Sequence, residues 1–281
     1  MSVTDYKFAG TAATVDRSGG PAWSNQDYAK ADDTSYATCF VSGFANSDWL
    51  RLTNFGFTSS DIPSGATIDG IEFVISRTAT FITDLAIYMR DSTGQVGSDQ
   101  ASATGWPTSI GEATYGASDE MLGTTLDQAD IVASTFGIDI SAHNSFYLFS
   151  TTAYVDYIKI RIYYTAATVP TVTTQALTNV KNTNATGNGN ITDIGVGNAT
   201  RRGFCYKAGT SGDPTTGDSV AYDDGSYGTG AYTKGLTGLS AGTGYRVRAY
   251  AVNPGGTSYG VSVQLTTTSA ASGFVPRITW I

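Results

Sequence analysis

The stretch Tyr154-Val155-Asp156-Tyr157-Ile158-Lys159-Ile160-Arg161-Ile162-Tyr163 sets the class of this chain. Ile158, Ile160 and Ile162 fall on one side, and Lys159 and Arg161 on the other. That period of two belongs to a strand with one buried and one solvated face, because successive side chains leave a pleated backbone in opposite directions. Upstream, Ile71, Phe73 and Ile75 alternate with Glu72, Val74 and Ser76, which places Glu72 on an outward face. Phe81 to Met89, Phe136 to Ile140 and Phe146 to Phe149 read as further strands. Clusters such as Asp61-Ile62-Pro63-Ser64-Gly65 and Asp91-Ser92-Thr93-Gly94 separate them with turn chemistry. Many short strands punctuated in this way predict a sandwich or barrel. The single helical candidate, Leu126 to Ala133, is one or two turns long.

Composition narrows the function classes. The chain has 281 residues, room for two domains. Charged residues make up only 14% of it, too few for a coiled coil. Lys+Arg 16 against Asp+Glu 24 gives a net charge of -8, which argues against binding by phosphate contacts and so against nucleic acid. With 41% hydrophobic residues the chain can build cores and is not expected to be disordered. No run approaches the ~18–20 apolar residues of a membrane span, and Met1 to Gly10 shows no secretory signal. Cys39 and Cys205 are expected to be free thiols, in a protein made in a cytoplasm.

The isoleucine-rich strand ends at Tyr164, and the small, uncharged run Thr165 to Val169 closes on Pro170. The expected organisation is all-β: a jelly-roll-like β-sandwich over 1–165, a linker over 166–170, an immunoglobulin-like sandwich over 171–268, and a flexible tail over 269–281. In the second of these, Leu239-Ser240-Ala241-Gly242-Thr243-Gly244-Tyr245-Arg246-Val247-Arg248-Ala249-Tyr250-Ala251-Val252-Asn253 resembles the E–F corner of a fibronectin type III domain. The resemblance spans Pro170 to Thr268 and implies that Tyr245 is the corner tyrosine, bonded to backbone a few residues upstream. Val247, Ala249 and Ala251 would share its inward face, with Arg246, Arg248 and Tyr250 outward. The family's inner tryptophan is missing, and Phe204 or Tyr206 is expected in its place.

The first region also carries a resemblance. Its residues are Asn46 to Phe57, Ile62 to Ile71, Trp106-Pro107, Gln128 to Ile131, Phe136-Gly137-Ile138 and the closing Tyr154 to Thr165. In that order they are similar to a β-sandwich domain recurrent in structural proteins of tailed bacteriophages and in bacterial surface proteins. The motifs are structural, so they imply a fold more than an activity.

A glycosidase needs two carboxylates about 5–10 Å apart. Glu72, Glu112 and Glu120 suggest no such pair, and the aspartates are expected mainly in turns. Gly256-Thr257-Ser258-Tyr259-Gly260 spells a nucleophile elbow, but a strand follows it where a helix is required. His143 reads as an exposed loop residue, and a lone histidine without paired cysteines excludes the usual zinc sites. No cofactor is expected, although a structural calcium on Asp32-Asp33 or Asp223-Asp224 stays open. Trp23, Trp49 and Trp106 read as core. Tyrosines in turn-rich sequence, Tyr222, Tyr227, Tyr232 and Tyr259, are candidates for stacking on glycans or contacting a surface.

The expectation is therefore a non-enzymatic structural protein of a tailed bacteriophage virion, assembled in the host cytoplasm as a head decoration or tail-associated component. Its partners would be other capsid or tail proteins, further copies of itself in a homo-oligomer, and host-surface glycans, with no membrane insertion. Phe274, Val275, Ile278, Trp280 and Ile281 in the tail are the candidate partner anchor. The alternative is a carbohydrate-binding module of a secreted bacterial surface protein.

Overall fold

A computed structural model describes residues 1–270, which form two compact units divided between Ala166 and Ala167. The tail residues Phe274, Val275, Ile278, Trp280 and Ile281 lie outside the described residues. No helix among the described residues is long and apolar enough to cross a membrane.

The first unit contains β1 (Ser2–Val3), β2 (Lys7–Phe8), β3 (Thr11–Val15), β4 (Ala37–Val41), β5 (Trp49–Thr53), β6 (Thr67–Thr78), β7 (Ile82–Arg90), β8 (Gln95–Val96), β9 (Gly111–Gly116), β10 (Gly137–Asn144) and β11 (Thr151–Thr165). One sheet runs β11-β6-β9, with β1, β2 and β4 along the other edge of β11; the second runs β3-β5-β10-β7-β8. All the pairings are antiparallel. The order 4-11-6-9 against 5-10-7-8 is the double Greek key of a jelly roll. The short helix α1 (Gln128–Val132) falls inside its predicted span. Asp127 caps it by accepting from the Ala129 and Asp130 N–H groups, and Asp130 returns the bond to the Asp127 N–H.

Alternation builds the core. Ile71, Phe73 and Ile75 of β6, beside Ile162, Ile160 and Ile158 of β11, share one buried cluster with Leu50 and Leu52 of β5 and Ile138 and Ile140 of β10 in the other sheet. Trp23 and Trp106 join it, whereas Trp49 is half-buried. Two departures from the sequence reading concern charge. Glu72 does lie on the outer face of β6, but that face is covered: Tyr6 and Tyr163 donate hydroxyl bonds to its carboxylate and Arg161 pairs with it at 2.7 Å. The acidic residues are also not confined to turns. Arg77 follows Ile71, Phe73 and Ile75 in parity and so enters the core, where it pairs with Asp84. Asp84 further accepts from Trp106 Nε1 at 2.8 Å, the Tyr115 hydroxyl at 2.6 Å and the Ser102 N–H at 3.0 Å.

The second unit is a fibronectin type III-like sandwich. Its strands are β12 (Thr171–Thr178), β13 (Asn184–Asp193), β14 (Ala199–Ala208), β15 (Ser219–Tyr227), β16 (Gly230–Thr237), β17 (Gly244–Asn253), β18 (Gly256–Tyr259) and β19 (Val263–Thr266). Sheet β12-β13-β16 packs on sheet β15-β14-β17, whose last edge is shared by β18 and β19. Tyr245 is the corner residue: the Ser240 N–H donates to its hydroxyl at 2.9 Å. Phe204 fills the place of the missing tryptophan, tilted against Tyr232 with ring centroids 5.4 Å apart. Gly187 and Gly189 on β13 make room for them, since a Cβ at either would sit 2.8 Å from the Phe204 or Tyr232 ring. Tyr250 points outward as expected yet is buried there, between the rows of Tyr222 and Tyr259.

Removing the Asp84 carboxylate strands a buried guanidinium. Asp84→Ala is expected to cost about 3–5 kcal/mol in urea unfolding; a loss under about 1 kcal/mol would show that the core does not depend on this pair. Glu72 gives a pH signature. Burial pushes its carboxyl up, but the bonds from Tyr6, Arg161 and Tyr163 outweigh burial and hold it below the ordinary 4.5. Its contribution to stability is complete above that value and is lost as pH falls through the lower, folded-state value. Glu72→Gln should therefore flatten the decline of stability below about pH 4.5.

Candidate functional site

Jelly-roll connectivity sends the β4–β5, β6–β7 and β10–β11 loops to one end of the first sandwich. Those loops are apolar. Phe44 comes from the first, Phe81 from the second, and Tyr147, Leu148 and Phe149 from the third, with Phe40 on β4 beside them in sequence; they are 44–73% exposed. Phe146 to Phe149, expected as a strand, is thus an exposed loop between β10 and β11. Four consecutive apolar residues cannot alternate, and only Phe146 turns back to pack.

The loops are held, not loose. Asn144, fully buried at the end of β10, donates from Nδ2 to the Val41 carbonyl at 3.0 Å and the Phe149 carbonyl at 2.7 Å. Its Oδ1 accepts from the Phe146 N–H at 2.9 Å. Ser145 ties the β6–β7 loop in, giving its N–H and hydroxyl to the Phe81 carbonyl at 2.8 and 3.0 Å. Aromatic contacts complete the cluster: Phe81 stacks on Phe146 at 4.5 Å, Phe146 on Phe149 at 5.5 Å, and Phe44 meets Tyr147 at 5.5 Å. Gly43 permits that approach, since a Cβ there would lie 2.0 Å from the Tyr147 carbonyl oxygen. Phe44 and Phe81 both take left-handed backbone, with φ 55 and 64, which bulky residues adopt only when their surroundings impose it. His143 belongs to β10 rather than to a turn; its ring stacks on Phe44, and Nδ1 lies 2.8 Å from Asn46 Oδ1.

The residues singled out from sequence fare unevenly. Tyr222 and Tyr259 flank Tyr250 in one row across the outer face of the second unit's larger sheet, with Arg201 over Tyr222 at 4.0 Å and Arg248 over Tyr259 at 4.6 Å. Tyr222 is exposed and Tyr259 half-buried. Tyr227 is half-buried under Arg202, away from that row. Tyr232 is corrected from surface to core: it faces inward, and its hydroxyl donates to the Gly203 and Tyr250 carbonyls at 3.3 and 3.0 Å. Asp223 and Asp224 are already engaged by Lys234 and Arg201. Gly256 to Tyr259 is strand β18, and β19 follows. Cys39 and Cys205 are free and buried, and burial pushes their thiols up to about 12 and about 11. Among the described residues no group of three or more His, Cys, Asp or Glu forms a ready-made metal centre.

No protein-family profile matches the chain, and the search of curated proteins finds no match. Solved structures similar to it include the sensor domain of the anti-sigma factor RsgI4 of Pseudobacteroides cellulosolvens. That likeness has 12% identity, covers 37% of this chain and 98% of the other, and has a TM-score of 0.29. Another is the fibronectin type III domain of human fibronectin type III domain containing protein 3, at 19% identity, 40% and 95% coverage and TM-score 0.28. A third, the Endo-D glycoside hydrolase domain of Streptococcus pneumoniae R6, has 12% identity, 95% and 36% coverage and TM-score 0.26. Superpositions this loose carry no argument about function. The assignment of both sandwiches rests on the strand orders given above.

The loop end should separate stability from surface chemistry. Leu148→Ser is expected to leave unfolding free energy within about 0.5 kcal/mol, because the side chain is already in solvent. Asn144→Ala leaves two carbonyls and an N–H without partners and is expected to cost about 2–3 kcal/mol. It should also speed amide exchange over 145–150. Equal losses from the two variants would contradict this arrangement.

Proposed function

We propose that the chain is a non-enzymatic structural protein of a tailed bacteriophage particle, and that the loop end of its first sandwich is the surface that docks on another virion protein. The observation behind this reading is the cluster of Phe44, Phe81, Tyr147, Leu148 and Phe149, held on a rigid sandwich and left in solvent. Large apolar and aromatic side chains gathered at one site are the typical anchors of protein interfaces, and isolated monomers rarely expose such a group. The residues of the first unit that resemble a phage structural domain supply the setting. The long jelly-roll strands fix the loops, so binding depends on shape and apolar area.

The test uses particles of the phage that encodes the chain. Phe44→Ser, Tyr147→Ser and Leu148→Ser are combined, and copies per particle are counted by quantitative mass spectrometry. Incorporation should fall at least about tenfold, since losing one good interface anchor alone removes about 1.4 kcal/mol or more. Unchanged incorporation removes the loop end from the assembly contact, and absence of the wild-type protein from particles removes the virion reading. Glycan-array binding lost with Tyr222→Ala, and not with the loop variant, would instead favour a carbohydrate-binding module.

A further inference from the structure

A second feature of the first unit is electrostatic. Asp156 sits at an irregularity in β11, where the register against β6 jumps from Val155↔Arg77 to Tyr157↔Ser76 and leaves it without a ladder partner. Its side chain is only 5% exposed. One carboxylate oxygen, Oδ1, has no hydrogen-bond partner, while Oδ2 accepts only a long 3.4 Å bond from Ser76 Oγ. The carboxyl lines a cleft of about 300 Å³ with Asp32 and Thr34 of the β3–β4 connection, Ser76 of β6, Glu112 of β9 and Tyr157 of β11. An unpartnered buried carboxylate of this kind costs several kcal/mol unless something neutralises it.

The described residues do not supply the neutralising charge. Lys159 pairs with Glu112 at 2.7 Å, and Tyr157 also donates to that carboxylate. Lys30 pairs with Asp27 at 2.8 Å. Among the described residues no basic side chain forms an ion pair with Asp32, Asp33 or Asp156. Burial first, then the Asp32 charge and, less strongly, the Asp33 charge push the Asp156 carboxyl above the usual aspartate range. The nearby Asp33 N–H and the Ser76 hydroxyl pull the other way without reversing it.

We infer that this cleft binds a calcium ion, with Asp156 Oδ1 and the Asp32 carboxylate as its charged ligands. Calcium accepts six to eight oxygens, including hydroxyls, backbone carbonyls and waters, so it does not require a third carboxylate. An all-oxygen cleft offers nothing that would select zinc. The ion ties the β3–β4 connection to β11 and cancels the charge at the register jump. This inference does not depend on the docking role of the loop end, and its failure would leave that role untouched.

The intact chain is titrated with terbium, a calcium stand-in that Tyr36 and Tyr157 at the cleft can sensitise, and calcium is then used to displace it. Thermal unfolding is followed in parallel with calcium or with magnesium. Calcium at ten times its Kd should raise the melting midpoint by about 3–6 °C and displace terbium, and magnesium should do much less. Asp32→Ala, at an exposed position that folding does not need, and Asp156→Asn should each abolish both responses. Absence of terbium emission and of a calcium shift in the wild type overturns the site, as does an undiminished response in Asp32→Ala. If Asp156→Asn is stabilising while the wild type ignores calcium, the carboxyl is relieved by protonation and the inference fails.

Discussion

The register of β11 is the constraint on which the first unit depends. This strand pairs with β6 from Tyr154 to Thr165 on one edge and with β4, β2 and β1 in turn on the other. A slip of one residue would turn Ile158, Ile160 and Ile162 to the outside and bring Lys159 and Arg161 into the core. The register also sets where β11 begins, and so where the apolar β10–β11 loop emerges beside the β4–β5 and β6–β7 loops. The site is a consequence of strand order: the same double Greek key that buries the isoleucines collects the phenylalanines at one end.

Polarity in the first unit is partly inverted. Arg77 and Asp84 lie inside, and Asp139 is buried on the outer face of β10, where Arg51, Arg90 and Gln95 hold it, while phenylalanine, tyrosine and leucine stand in water at the loops. Both halves of the inversion are stabilised by polar contacts. Asp84 gathers four donors, and Asn144 and Ser145 clamp the loops through backbone groups. Each exposed large apolar side chain forgoes about 1.5–3 kcal/mol of burial that a docking partner can restore. A surface held open in this way presents apolar area that a partner can cover.

Much of this was legible in the sequence, for a physical reason. Alternation reports strand faces directly, so the isoleucine strand could be read from local pattern, whereas the Tyr245 corner was legible through its resemblance to a fibronectin type III domain. What was hidden depended on partners distant in sequence. Glu72 reads as solvated because nothing near it announces that Tyr6 folds over it. Asp84 falls in the expected Phe81 to Met89 strand, but nothing local announces its buried network, because its donors come from Arg77, Ser102, Trp106 and Tyr115. Tyr232 reads as exposed because glycines surround it in sequence, and the space it fills is opened by Gly189 on the neighbouring strand. Phe146-Tyr147-Leu148-Phe149 reads as a strand by composition, but an unbroken apolar run has no parity and the segment is a loop. The available signal was its lack of alternation between two strands that do alternate.

The central claim is that the loop end meets another protein. A photo-reactive phenylalanine analogue placed at Leu148, irradiated in assembled particles and read by cross-linking mass spectrometry, tests it most directly. The account predicts covalent adducts between residue 148 and one defined virion protein, absent when the analogue replaces Tyr222 in the second unit. Adducts only at position 222, or a position 148 that reacts with nothing but solvent in intact particles, would contradict it.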